Sequence, residues 1–493
     1  MRLSFPHRTR QVGWLAVLLS LVLFVQNAVC QQPRRAEPDP EIVELGPLKG
    51  AAAPDPALKY SFSDFAEPQV PENAAVHYLR AMRRFFANRR QQQENDAWET
   101  EWLSLQPNEL SDVPVGTFLD SQDKVFDSLD RASRCSHCDW HLMPEGDVNL
   151  QQMISVNLDD IQEMRSLARL LQLRLRYAIS QGEWEKASET ARILFRMGYD
   201  LQEFPLLISG LVGAAIQGIT YGELAYWIAE PNSPNLYWAL QTLPHPKTDL
   251  SKGMGGELAM ILRGIRALDN PEKRSWSAEQ WIQSLTEDLA AVAPMSGTDL
   301  ESQTVSRLAV SAMIIRGYPI AKKALLARGY TAEQLNAMPS AQVVCIHQSL
   351  VARRYFHDII KWRMLDTPEA RRRMIQQEEE SVALLRPDSA DGFTLQIIPM
   401  IIPAFRMITH AETRLRRTHE ALSTVEAIRM QVASTDQIPE SLAEIKEVPI
   451  PVDSLTGEPF DYQSNAETVS LRIEDFLMTG QDRVYQWTLP QSR

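Results

Sequence analysis

A chain of 493 residues, 44% hydrophobic and 23% charged, is long enough to bury a large core and has ordinary globular composition. Its formal net charge of −13 argues against a nucleic-acid partner, which needs clustered Lys and Arg to displace phosphate counterions. It favours solubility and says nothing about fold.

Arg2, Arg8 and Arg10 precede an apolar run, "VGWLAVLLSLVLFV", from Val12 to Val25. As a helix this run spans about 21 Å, short of a hydrocarbon core of about 30 Å. With small residues at Ala28 and Cys30, residues 1–30 read as a secretory signal peptide, so the chain is expected to be exported to the periplasm or cell envelope. Two alternatives stay open: an uncleaved anchor over residues 12–25, the one case in which membrane contact is expected, and lipidation at Cys30. Asn27 and Val29 fit the lipoprotein signal poorly. Cleavage after Cys30 would leave Cys135, Cys138 and Cys345, an odd number for an oxidising compartment.

Residues 31–70 hold seven prolines (Pro33, Pro38, Pro40, Pro47, Pro54, Pro56, Pro68) and little to bury, which predicts an extended, mobile tether. From 71 to 435 the apolar pattern is helical. Pro71 is expected to open a helix that buries Ala75, Leu79, Met82 and Phe86. Met164, Leu167, Ala168, Leu171, Leu175 and Ala178 form one stripe, and Trp184, Ala187, Ala191 and Leu194 a second beyond Gly182. Each helix has a single apolar face, so the two should pack antiparallel. Further helices are expected at 201–229, 235–243, 250–268, 277–292, 299–328, 340–365, 368–386 and 393–433. Thr331 and Gln334 make a capping box, and Pro339 opens the helix that follows. Residues 436–493 form a small β-containing tail, with a hairpin turning near Ser464-Asn465 that sets Phe460 and Tyr462 against Val469 and Leu471. The fold class is mainly α: stacked antiparallel helices with a small C-terminal β unit.

"GEWEKA" (182–187) is similar to the turn and second-helix start of a tetratricopeptide repeat, but no second copy follows at the repeat spacing. A wider likeness runs through "CDW" at 138, "RSLARLLQLRLRYAISQGEWEKA" at 165, "LYWALQTLP" at 236, "ARGYTAEQLNAMPSAQVV" at 327, "KW" at 361 and "IPESLAEIKEVPIPVDSLTGEPFDYQ" near the end. In this order they resemble a family of uncharacterised, exported, largely helical proteins of planctomycete-type bacteria. The resemblance implies export and a shared helical fold. It brings no activity and no catalytic residues.

The densest chemistry is "SRCSHCDWH" (133–141). Haem attachment needs a histidine directly after the second cysteine, and Asp139 stands there. A thioredoxin-like pair needs a strand-to-helix context that the upstream sequence does not show. Cys135, Cys138 and His141, with His137 as substitute, are spaced to hold zinc, but a closed site needs a fourth ligand and no second C-x-x-C exists. In an oxidising compartment a Cys135–Cys138 disulfide, or two structural thiols, is preferred. Ser121 and Lys124 fit S-x-x-K without its partner motifs. H-E-x-x-H is absent, and "KGMGGE" (252–257) lacks the phosphate-loop order. Asp358 and Lys361 read as an ion pair beside Trp362, Arg371–Arg373 and Glu378–Glu380 as a solvated face, and Cys345 as core. Tyr221, Tyr226, Trp227, Tyr237 and Trp238 are helix packing if buried, and a surface for a sugar or peptide if exposed.

No motif calls for a cofactor. The favoured role is a non-catalytic envelope scaffold or interaction module with a protein partner. The alternative is an envelope hydrolase, metal-assisted through the Cys135–His141 cluster.

Overall fold

The structure is a computed structural model that describes residues 39–63, 69–92, 97–141, 159–244, 249–292, 303–384, 397–474 and 481–489. The chain is mainly α-helical with a small sheet that carries its C-terminal strands. Eleven helices of eight or more residues are described: α1 Ala74–Gln92, α2 Asp123–Ser133, α3 Asp159–Ser180, α4 Trp184–Gln202, α5 Leu207–Ala229, α6 Ser251–Gly264, α7 Ala278–Val292, α8 Gln303–Ala327, α9 Ser340–Arg363, α10 Pro368–Leu384 and α11 Ile397–Thr435. The strands are β1 Glu41–Pro47, β2 Val70–Asn73, β3 Cys135–His137, β4 Asp461–Ser464, β5 Thr468–Ile473 and β6 Arg483–Thr488.

α5 lies at the centre because its sequence, "LISGLVGAAIQGITYGELAYWIA", is apolar nearly all round, and it is covered except along a line through Ala215, Gly218 and Gly222. α3, α4, α6, α11 and β1 pack against it. The α3–α4 hairpin turns at Gly182, whose φ of +69° suits glycine. Every residue of the two expected stripes is buried except Trp184, which is half-buried. α4 and α5 cross at Gly198 and Gly213, where a Cβ on Gly213 would stand 2.4 Å from the Gly198 carbonyl oxygen. α5 begins at Leu207 rather than at 201, since α4 runs on to Gln202 and Pro205 sits in the break. The Thr331–Gln334 capping box is formed in full, and Pro339 is the N-cap of α9.

α1 corrects its expected phase. Ala74, Ala75, Tyr78, Ala81, Met82 and Phe85 are buried, whereas Leu79 is 40% exposed. Pro71 lies in β2, not in the helix. The sequence has apolar residues on two adjoining phases. The choice falls to Tyr78, whose hydroxyl donates to Asp200 Oδ2 at 2.7 Å and whose ring stacks on Trp140.

The N-terminal segment is the larger correction. Within residues 39–63, expected as a mobile tether, β1 pairs parallel with β6, Glu41 opposite Arg483 and Val43 opposite Tyr485. Leu45, Leu48, Tyr60 and Phe62 are buried. The Phe62 ring meets Phe195 at 5.6 Å and Trp227 at 6.3 Å, and the Ala51 amide donates to Arg429 O at 2.9 Å. The prolines are compatible with this because β1 is an edge strand, flanked by Pro40 and ended by Pro47. The expectations for residues 1–38 and 64–68 lie outside the described residues.

The sheet order is β1-β6-β5-β4. The expected hairpin is β4–β5, with Ser464 opposite Val469 and Tyr462 opposite Leu471. The strands are bolted to α11 by a buried ion pair: Arg417 Nη2 donates to Asp453 Oδ2 at 2.6 Å, and its Nη1 to Glu474 O at 2.6 Å. Arg372 and Arg373 lie on the expected solvated face, but Arg371 is largely covered, and Arg371 and Arg372 donate to the carbonyls of Ser454, Leu455 and Thr456. Among the described residues no helix is long and apolar enough to cross a membrane, and residues 12–25 lie outside them.

Candidate functional site

β2 runs directly into α1, and β3 pairs with it in parallel, Val70 opposite Cys135. That crossover brings Glu72, His77 and Cys135 together, with their donor atoms all within 4.8 Å of one another. His77 Nε2 lies 2.7 Å from Glu72 Oε2. Arg131 donates to the same carboxylate, Nη2 to Oε1 at 2.6 Å and Nε to Oε2 at 3.3 Å. Arg131, with His77 second, holds the Glu72 carboxyl down at about 2. The Cys135 thiol donates to Arg131 O at 3.3 Å, and burial raises it. The sulfur, imidazole and carboxylate are a plausible donor set for zinc, although Arg131 already neutralises the carboxylate.

This is not the expected set. His141 is turned outward at a φ of +49°, with Nδ1 3.5 Å from Asp139, and its side chain is 78% exposed. His137 Nδ1 lies 3.2 Å from its neighbour Ser136. Cys135 and Cys138 are both free thiols, the second of the two states expected for the pair, and not the disulfide. Cys135 points back toward α2, whereas Cys138 lines a cleft of about 440 Å³ against α4. No sequence signal ties Glu72 and His77 to a cysteine some sixty positions away, and these partners were missed for that reason.

In the cleft, Arg192 donates to Ser133 Oγ at 2.8 Å and Asp130 Oδ1 at 2.6 Å. Arg196 donates to Asp200 Oδ1 at 2.8 Å and Cys135 O at 2.9 Å. Both guanidinium groups therefore fasten β3 and α2 to α4. Burial lifts the Asp200 carboxyl to about 6 against the pull of Arg196, and burial also drives the Cys138 thiol strongly upward. A protonated, desolvated thiol is a poor nucleophile at neutral pH.

Of the candidate aromatic surface, Tyr221, Trp227 and Tyr237 are core, whereas Tyr226 and Trp238 are half-buried and Tyr226 lines a surface slot. Trp227 is fully buried and stacks on Trp184 at 5.9 Å, and Tyr221 meets Phe195 edge-on at 5.1 Å. Tyr237 is buried and donates to Pro449 O at 2.7 Å. Trp238 packs edge-on against Tyr237, and Tyr226 lies under the Arg176 guanidinium, itself clamped to Glu223. Ser121 gives its proton to Phe118 O at 2.6 Å. Lys361 pairs with Asp358 at 2.8 Å. Cys345 is buried with its thiol pushed up, and "KGMGGE" lies inside α6.

Two surface features remain. A slot of about 850 Å³ runs between α5, β1 and α11, floored by Ala214, Ala215, Gly218, Gly222 and Ala225. On the outer face of α8, Val305, Leu308, Ala312, Ile315, Pro319 and Leu326 are all exposed, Leu308 at 66% and Ile315 at 75%. Comparison with family models, curated proteins and solved structures finds no match to this chain.

Proposed function

We propose that the protein is an exported, non-catalytic scaffold or interaction module of the cell envelope. The observation that carries the reading is the α8 seam. Positions 305, 308, 312, 315 and 319 repeat at three and four residues, the spacing by which one helix packs lengthwise on another, and 326 follows one heptad later, past Lys322 and Lys323. A monomer gains nothing from exposing Leu308 and Ile315 along such a line. Between Gln303 and Ala327 the helix carries Arg307, Arg316, Lys322 and Lys323 and no acid, in a chain of net charge −13. Two such seams repel each other, so the fitting occupant is an acidic amphipathic helix of a partner protein. The arginines before residue 12 and the short apolar run support export.

The test is a Leu308→Glu/Ile315→Glu double variant. Its melting curve should match the wild type, since exposed sites change stability by about 0.5 kcal/mol or less. Wild type should retain partners from envelope fractions that the variant loses. Equal retention would defeat the reading.

The grouping of Glu72, His77 and Cys135 favours a second reading, a metal-assisted envelope hydrolase. Stoichiometric zinc in protein purified without chelator, lost in a His77→Ala variant, would support it.

A further inference from the structure

We propose that the slot beside β1 is a peptide site, which takes an extended segment of a partner protein as an added strand on the open edge of the sheet. The inference goes beyond the seam and stands whether or not α8 has a partner.

β1 is the terminal strand of the sheet. Successive residues of a strand point to opposite faces, yet four consecutive residues, Glu41 through Glu44, all line the slot. A cavity that touches both parities reaches the edge of the strand, and Arg483 and Tyr485 in its lining show that it also extends over the face β1 shares with β6. The Glu41 amide donates to Asp482 O at 2.7 Å, which assigns the inward groups to Glu41 and Val43. By the alternation of a parallel ladder, Ile42 and Glu44 then turn N–H and C=O to the open side. Near its far end β1 closes on α5, where a Cβ on Gly46 would stand 3.6 Å from the Ala229 carbonyl oxygen.

The floor is built for a backbone. Gly218 and Gly222 lie mid-helix on α5, where glycine weakens the helix. Packing does not explain Gly222, because a Cβ built there meets nothing within 4 Å. Glycine over open space lets another main chain lie close, which is its recurrent use beside a strand. The slot follows α5 from Leu211 to Tyr226, a span of about 22 Å. At the strand rise this seats about six residues.

The rim supplies polarity. Glu41 is already paired with Arg483 at 2.8 Å. Arg414 lines the slot, is exposed, and makes no ion pair or hydrogen bond among the described residues. It fits a carboxylate on the incoming segment, whereas Glu44 disfavours one beside it. The chain just before β1 is a poor occupant, since Pro33, Pro38 and Pro40 have no amide proton for a ladder.

The experiment screens full-length protein against a positional-scanning library of N-acetylated, amidated hexapeptides, with wild type, Gly222→Leu and Arg414→Glu in parallel. Wild type should select extended peptides that carry one Asp or Glu. Methylating alternate amides of the selected peptide should weaken it about tenfold or more by removing ladder bonds. Gly222→Leu should abolish binding while melting no lower than wild type, because leucine is the better helix former. Arg414→Glu should remove the preference for an acid. Amide exchange at Ile42 and Glu44 should be fast in the free protein and slow in the complex. The proposal is overturned if no peptide binds wild type more tightly than Gly222→Leu, if N-methylation has no effect, or if these two amides are already slow in the free protein. That last result would mean the chain's own residues cover the edge. None of these outcomes depends on the α8 seam.

Discussion

Arg417→Met tests whether the C-terminal strands share one folded body with the helices. The Arg417 and Asp453 side chains are 5% and 6% exposed. The guanidinium makes three contacts with that carboxylate, from 2.6 to 3.1 Å, and one with Glu474 O at 2.6 Å. Methionine fills much of the volume but leaves the Asp453 carboxyl buried without its charged partner, with the Leu455 amide still donating to it at 2.9 Å. Breaking one side of a buried pair costs about 3–5 kcal/mol, a large part of the 5–15 kcal/mol that holds a typical protein together. Urea unfolding, followed by tryptophan fluorescence and far-ultraviolet circular dichroism, should show a single transition moved to lower urea by that amount. Replacing both partners, Arg417→Met with Asp453→Leu, should recover most of the loss, because no charge is left unpaired. A loss below about 1 kcal/mol, or a separate early transition of the strands alone, would refute the reasoning.

Phe62→Ala should cost about 3–5 kcal/mol in the same assay, whereas a loose tether would tolerate it. Burial raises the Glu420 carboxyl to about 7, although it accepts from the Ser454 amide at 2.9 Å; burial does the same to Asp288. Both groups hold protons more tightly folded than unfolded, so stability should fall as pH rises from about 4 to 7 and level off above, and Glu420→Gln with Asp288→Asn should make that fall shallower, leaving the part due to Asp200. Cys135, Cys138 and Cys345 should resist iodoacetamide in the native protein and all react in urea, with no change of mass on reduction beforehand. A gain of two hydrogens on reduction would restore the Cys135–Cys138 disulfide.

Most helices were legible from an apolar stripe that they bury, and α3 with α4 shows it best: apolar spacing and a glycine turn point the same way. The capping box and the β4–β5 hairpin were legible because their partners are neighbours in sequence. The parallel pairs β1–β6 and β2–β3 were not, since each joins strands separated by long stretches of chain and neither has a local turn to announce it. β1 is further disguised by proline, which an edge strand tolerates and a composition count reads as disorder. The phase of α1 was decided by Tyr78 and its distant partner Asp200. The arginines of α10 had carbonyl acceptors in the tail, and main-chain oxygens leave no mark in a sequence. The cysteine motif drew attention to the right strand but to the wrong partners: Cys135 meets Glu72 and His77 through the fold, while His141 and Cys138 go elsewhere.

The most direct measurement is residue-resolved amide hydrogen exchange across Glu41–Pro47. If β1 seals the body by pairing with β6, the Val43 amide exchanges as slowly as those of α4 and α5. Exchange at the rate of an unstructured peptide would show that the N-terminal segment hangs free, and the account of the sheet, the slot and its edge would be wrong.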